Sequence, residues 1–165
     1  MADLKISISD LRAMLPDVAE EHLEEVFSRS AWSVISEPGD GFAGFVVSKI
    51  GAAKALEVEV HGLSSKHLKS KMLAAGVGEM EFDAFGVFEK VHAEARERWK
   101  SRISLELIRV ALFKITKVCG FLMTPFDPNW PGQLSDLGLH SPFALWVRGN
   151  SSALGMLEHS VSIVG

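Results

Sequence analysis

Val118-Cys119-Gly120-Phe121-Leu122-Met123-Thr124 is where the chain changes its hydrophobic period. Upstream of it, apolar residues recur at helical spacings of three and four. From Phe121 onward they run consecutively, as in a short strand. Gly120 is placed to stop the preceding helix. The reading is a helical domain over residues 1–118 followed, over 119–165, by the incomplete beginning of an α/β domain.

Working back from that point, Ser104 can cap a helix from Leu105 to Val118 whose Leu107, Ile108, Ala111, Leu112 and Ile115 share one face. A long helix is expected from about Asp83 to Arg102, with Phe85, Phe88, Val91, His92 and Ala95 as its inner stripe. Ser64 to Ala75 is a basic amphipathic segment ending at the Gly76-Val77-Gly78 break. Further upstream, Phe42, Phe45, Val46 and Ile50 mark one helix, and Ala52 to Val60 another across Gly51. This pair is like the helical hairpins of small DNA-associated domains. Glu37-Pro38-Gly39-Asp40-Gly41 is a turn cluster. Ser9-Asp10 is expected to cap a first helix ended by Pro16, and Asp17 the next, which carries Leu23, Val26 and Phe27.

Working forward, Phe121 to Thr124 and Phe143 to Val147 are strand candidates separated by a connection punctuated by Pro125, Pro128, Pro131 and Gly132. Ser151 to Leu157 is a brief helix or loop. Val161-Ser162-Ile163-Val164 then reads as a buried parallel strand arriving at Gly165, where phosphate-binding α/β folds open onto a helix N-terminus.

Composition narrows the class. With 47% hydrophobic and 23% charged residues the chain is globular, and a formal net charge of −4 gives no overall attraction to nucleic acid. Any such binding needs a local basic surface. Two are visible: Lys66, Lys69 and Lys71, and a second stretch with Arg102, Arg109, Lys114 and Lys117 against Glu106 alone. Residues 1–30 are acidic by contrast. The single cysteine, Cys119, rules out a disulfide framework and is expected to be a small buried hydrophobe. No stretch has the length of a membrane span, and Met1-Ala2-Asp3-Leu4-Lys5 lacks the apolar core of a signal peptide. The expectation is a soluble cytoplasmic protein.

No catalytic constellation is visible. The six histidines are scattered without zinc-ligand spacing, there is no phosphate loop, and Ser162 has no nucleophile-elbow context. His92, on an apolar stripe, reads as a satisfied core histidine. Trp32, Trp99 and Trp146 read as packing residues, and Trp130, in a turn, as a loop anchor more than a base platform.

The ordered set Thr124-Pro125-Phe126-Asp127-Pro128-Asn129-Trp130-Pro131-Gly132-Gln133-Leu134, then Pro142-Phe143-Ala144-Leu145-Trp146-Val147-Arg148-Gly149-Asn150, then Val161 to Gly165, resembles the DNA-processing protein A family (DprA/Smf). Ala31-Trp32-Ser33, Glu37 to Asp40 and Gly51 to Leu56 resemble, more loosely, the N-terminal helical domain of actinobacterial members. The resemblance implies a helical-hairpin domain joined to an extended Rossmann-like domain. It implies a cytoplasmic protein that binds single-stranded DNA and loads the RecA recombinase during natural transformation, acting as a homodimer when complete. It also implies that the protein is not an enzyme and has no cofactor, metal or membrane attachment.

In that family the last strand ends in a Gly-Ser-Arg turn offering backbone N–H groups and a guanidinium to phosphates. Gly165 is the first residue of such a turn here, and Arg148, at a strand end, is a second DNA-binding candidate. With the rest of that turn absent, the expectation is a truncated form deficient in DNA binding. Two other readings remain open: the N-terminal part of a Rossmann-fold nucleotide-binding enzyme, and a stand-alone helical interaction module over residues 1–118.

Overall fold

The structure is a computed structural model that describes residues 6–154. It is mostly helical with one small antiparallel sheet. Eight α-helices run in order: α1 (Ile8–Met14), α2 (Leu23–Ile35), α3 (Gly41–Ile50), α4 (Ala52–Val60), α5 (Ser65–Ala74), α6 (Glu79–Asp83), α7 (Phe88–Trp99) and α8 (Leu105–Lys117). Strand β1 (Gly120–Met123) follows directly, then a 3-10 stretch (Gly132–His140), then β2 (Leu145–Arg148). The expected parallel strand at Val161–Val164 and Gly165 lie outside the described residues.

Local chemistry sets most helix starts. Asp40 caps α3 through its Oδ1, which accepts from the amides of Phe42 and Ala43 at 3.1 and 3.0 Å. Ser104 caps α8 as expected, and Ser64 caps α5. Gly51 ends α3 and opens α4 at φ +83°, ψ +155°, a conformation that L side chains rarely adopt, so the hairpin needs a glycine there.

Four expectations about boundaries are corrected. The cap of α1 is Ser7, not Ser9-Asp10: Asp10 sits at the third helical position and reaches back to the Ser7 amide, completing a reciprocal box. Asp17 caps nothing. The segment after Pro16 is folded back onto α1, with the Arg12 guanidinium donating to the Val18 carbonyl at 2.6 Å, and the chain enters α2 through a 3-10 turn at Glu20–His22. The expected long helix over 83–102 is broken by a turn in which Gly86 takes φ +81°, so helix α7 begins only at Phe88. Phe85 nevertheless stays in the core, its ring 4.8 Å from Phe45 and 5.8 Å from Phe42.

The fourth correction concerns the junction itself. The left-handed residue after α8 is Cys119, at φ +53°, not Gly120, and Cys119 is exposed where a buried thiol was expected. Gly120 is needed one position later. A Cβ there would lie 2.4 Å from Ile115 Cδ1 and 2.7 Å from the Val147 carbonyl, so only glycine lets β1 press between α8 and β2.

One core joins all the helices. Its centre is aromatic: Trp32 meets Trp99 edge-on at 5.1 Å, and Phe42 contacts Phe85, Phe88 and Trp99. β1 and β2 pair with Gly120 opposite Arg148 and Met123 opposite Leu145. The second strand starts later than expected, at Leu145; Phe143 and Ala144 ahead of it are buried, Phe143 lying against Trp32 at 6.0 Å. Trp146 packs on the core's edge and donates its indole N–H to Ser33 Oγ of α2 at 3.0 Å. The connection between the strands is seated on α3: the Leu139 carbonyl lies 1.8 Å from where a Cβ on Gly44 would stand, and His140 Nδ1 donates to the Gly39 carbonyl at 2.7 Å.

Candidate nucleic-acid interface

The stretch from Thr124 to Asn150 follows β1 as a turn and a 3-10 segment leading into β2. Thr124 is buried, so its polar groups need partners, and Asp127 supplies them. Its Oδ2 accepts from the Thr124 amide at 2.6 Å and from Thr124 Oγ1 at 3.0 Å, while the Asp127 amide donates back to the Thr124 carbonyl. This aspartate builds a turn. Phe126 next to it is half-exposed, its ring parallel to His22 at 5.7 Å with the Arg29 guanidinium 5.3 Å from its centroid. Trp130 is half-buried and borders a cleft of about 560 Å³ between the connection and α3, with Val47, Leu139 and Phe143.

The sequence candidate Arg148 is the last residue of β2, exposed, and has no carboxylate partner among the described residues. Its position opposite Gly120 brings it to the sheet end nearest the last turn of α8, because Gly120 follows Lys117 by three residues. Gly165, the other candidate, lies outside the described residues, so whether the two converge is not a property of this geometry.

The two basic clusters separate in three dimensions. Lys69 pairs with Glu79 at 2.9 Å, a hydrogen bond that raises the ammonium pKa, and Lys71 meets Glu57 at 3.4 Å. Arg102 is bound by Glu37. Arg109, Lys114 and Lys117 are exposed on α8 and make no ion pair among the described residues. The Arg109 charge reaches Asp10. Its carboxyl is held below the ordinary range by the Ser7 hydroxyl, then by the Ser7 amide, with a lesser contribution from the Arg109 charge.

The helical hairpin itself offers no anion site. The Ala52 amide at the start of α4 is buried and faces Glu25 Oε1 at 3.5 Å, and that carboxylate is itself held by Arg29 at 3.0 Å. An acidic group already meets the positive helix end, so α3 and α4 serve packing here. A cleft of about 440 Å³ between α1, α2 and α4 is rimmed by Glu20, Glu21, Glu24 and Glu57, the wrong sign for phosphate.

His92 is the satisfied core histidine expected: fully buried, with Nε2 2.8 Å from Glu59 Oε1 and Nδ1 2.8 Å from Ser65 Oγ. Arg96 Nε lies 3.3 Å from the other Glu59 oxygen, so these groups tie α4, α5 and α7 together. Trp32 and Trp99 are buried, as their apolar surroundings imply. Among the described residues no cluster of three or more His, Cys, Asp or Glu is placed to hold a metal ion, and no helix is long and apolar enough to cross a membrane.

One surface residue has no counterpart in the sequence reading. Phe113, on α8, is 60% exposed, with Lys117 Nζ 4.8 Å from its ring centroid. Its signal was its spacing, four residues after Arg109 and four before Lys117, on the face opposite the buried Ile108 and Leu112.

Comparison of the chain with protein-family models, curated proteins and solved structures gives no match.

Proposed function

We propose that this chain is a DNA-processing protein of the DprA/Smf type that binds single-stranded DNA. The reading rests on the ordered motifs from Thr124 to Asn150. The observation that carries it furthest is Arg148, an exposed strand-end guanidinium with no carboxylate partner among the described residues. A guanidinium so placed can hold a phosphate with its fork of donors. The reading extends to a Rossmann-like domain beginning at residue 119, with Gly165 opening a Gly-Ser-Arg turn. It also brings a cytoplasmic homodimer in the complete protein and delivery of the bound strand to RecA, with no catalytic step and no cofactor.

The reading is tested by fluorescence anisotropy of a labelled oligothymidylate titrated with the 165-residue chain. Binding is expected to be weak, with Kd on the order of 10⁻⁴–10⁻⁶ M at physiological salt, and to tighten as salt falls. Arg148→Ala is expected to weaken it and to lower the log–log salt slope by about 0.7, one phosphate contact on a single strand. No binding at low salt, or a wild-type slope in the Arg148→Ala variant, would count against it.

A further inference from the structure

The exposed face of α8 is aromatic and basic together, and its cations make no ion pair among the described residues. Arg109, Phe113 and Lys117 follow one another at spacings of four, which aligns them on one row of the helix. The row is about 12 Å long at 1.5 Å rise per residue. Lys114 flanks it, and Arg148 lies beyond its C-terminal end across Gly120. The inner face of the helix is accounted for by the buried Ile108 and Leu112. The outer face is not: Phe113 keeps 60% of its surface in water, and the nearby Leu107 and Val118 are also exposed.

Charge decides what this face suits. Its three cations make no ion pair among the described residues; Glu106 lies one turn from Arg109, and Asp10 feels the Arg109 charge, whereas Lys114 and Lys117 have no acid within a turn of them on the helix. An apolar face meant for another protein's core would not carry unpaired cations such as Lys114 and Lys117 around its largest ring. A ring bracketed by cations fits a single-stranded nucleic acid, in which bases are free to stack and phosphates follow at regular intervals. A duplex keeps its base faces covered and can satisfy only the cations.

We infer that the outer face of α8 is a single-strand contact in its own right, Phe113 receiving a base and Arg109, Lys114 and Lys117 the neighbouring phosphates. The inference rests on the reading of the chain as a single-stranded DNA-binding protein, and it adds a second surface to the strand-end site. The strand would pass from Arg148 at the end of β2 onto the C-terminal turn of α8 and along the row toward Arg109.

Three α8 variants of the full chain, read beside Arg148→Ala, separate the possibilities, titrated against a labelled oligothymidylate of roughly 16 nucleotides at about 50 and about 200 mM salt. Phe113→Ala is expected to weaken binding about tenfold with the salt slope unchanged, because stacking releases no counterions. Phe113→Trp should retain wild-type affinity. The double variant Lys114→Ala/Lys117→Ala should lower the slope by about 1.4, two phosphates' worth. All three substitutions are on exposed positions, and circular dichroism would verify that the helices persist.

If Arg148→Ala weakens binding while all α8 variants behave as wild type, the α8 contact is wrong and the strand-end reading stands. If Phe113→Ala leaves DNA binding intact but dissolves a dimer seen by sedimentation, the face is a protein contact and the inference is overturned. If the wild-type chain binds no single strand even at low salt, both the inference and the reading beneath it are overturned.

Discussion

Trp32 and Trp146 both donate an indole N–H to a partner on a neighbouring element, yet they live in different kinds of structure. Trp32 is fully buried, donates to the Ala52 carbonyl at 3.1 Å, and touches Trp99 and Phe143. Trp146 is half-buried on a four-residue strand and reaches sideways to Ser33 of the same helix, α2. The helical body makes its own core. The strand pair borrows that core, docking Phe143 and Trp146 on it and leaving Arg148 outside. A two-stranded sheet is at best marginally stable alone, so this dependence is expected. It also keeps the strand end free for a partner, whereas Glu59, His92 and Ser65 at the body's centre are engaged with one another.

Three experiments would break or sharpen that contrast. The largest effect is expected from Trp32→Ala, which opens a cavity at the junction of α2, α4, α7 and Phe143. It should cost about 3–5 kcal/mol, read as a lowered urea midpoint. Because the strand pair leans on this residue, its signals should be lost in the same transition. An independent, later-melting strand pair would refute the dependence.

Gly44→Ala comes next. Its Cβ would collide with the Leu139 backbone, and backbone cannot swing aside as a side-chain tip can. The expected cost is about 1–3 kcal/mol. The accompanying sign is faster proteolytic cleavage within 125–143 while the helical circular dichroism is kept. Wild-type protease resistance would mean the connection holds its place without α3.

The smallest effect lies within the body, at Glu81. Its carboxyl is held below the ordinary value of 4.5 by hydrogen bonding to Lys49, and further by the Gly78 amide at 3.2 Å. A carboxyl lowered by folding stabilises the native state above its unfolded pKa, and that contribution is lost as pH falls through the folded value. The urea midpoint should therefore fall below pH 4.5, and Glu81→Gln should flatten that part of the curve. An unchanged acid limb in the variant would show that the pair contributes nothing.

What was legible follows the range of the interactions. The bounds of α4 came directly from Gly51 and the periodicity of Ala52 to Val60, and the start of α8 from Ser104, because caps and turns act within a few residues. Asp17 was misread because an equally good local cap loses when Arg12 ties the Val18 carbonyl down. The long helix over 83–102 was misread because apolar spacing continues through Phe85 although the backbone does not; the residue packs from a turn. On the candidate site, Arg148 was legible as a strand-end cation. Phe113 was not, since it lies off the apolar face read for its helix and no local pattern gave it a role.

The sequence by itself determined the helical character of the first two thirds, the hairpin around Gly51, the change of period near Gly120, and a net charge that leaves any nucleic-acid contact to a local surface. Only the tertiary structure decided which basic residues are spent on ion pairs and which stay open. Lys69 and Lys71 meet Glu79 and Glu57 because folding brings α4, α5 and α6 together, while α8 turns Arg109, Lys114 and Lys117 toward solvent. It also decided that Gly120, not Cys119, had to be the glycine, because the close approach of Ile115 and the Val147 carbonyl exists only once helix and sheet have met. Spacing along a chain fixes which residues share a face. What that face meets depends on contacts between residues far apart in sequence, and no local pattern encodes them.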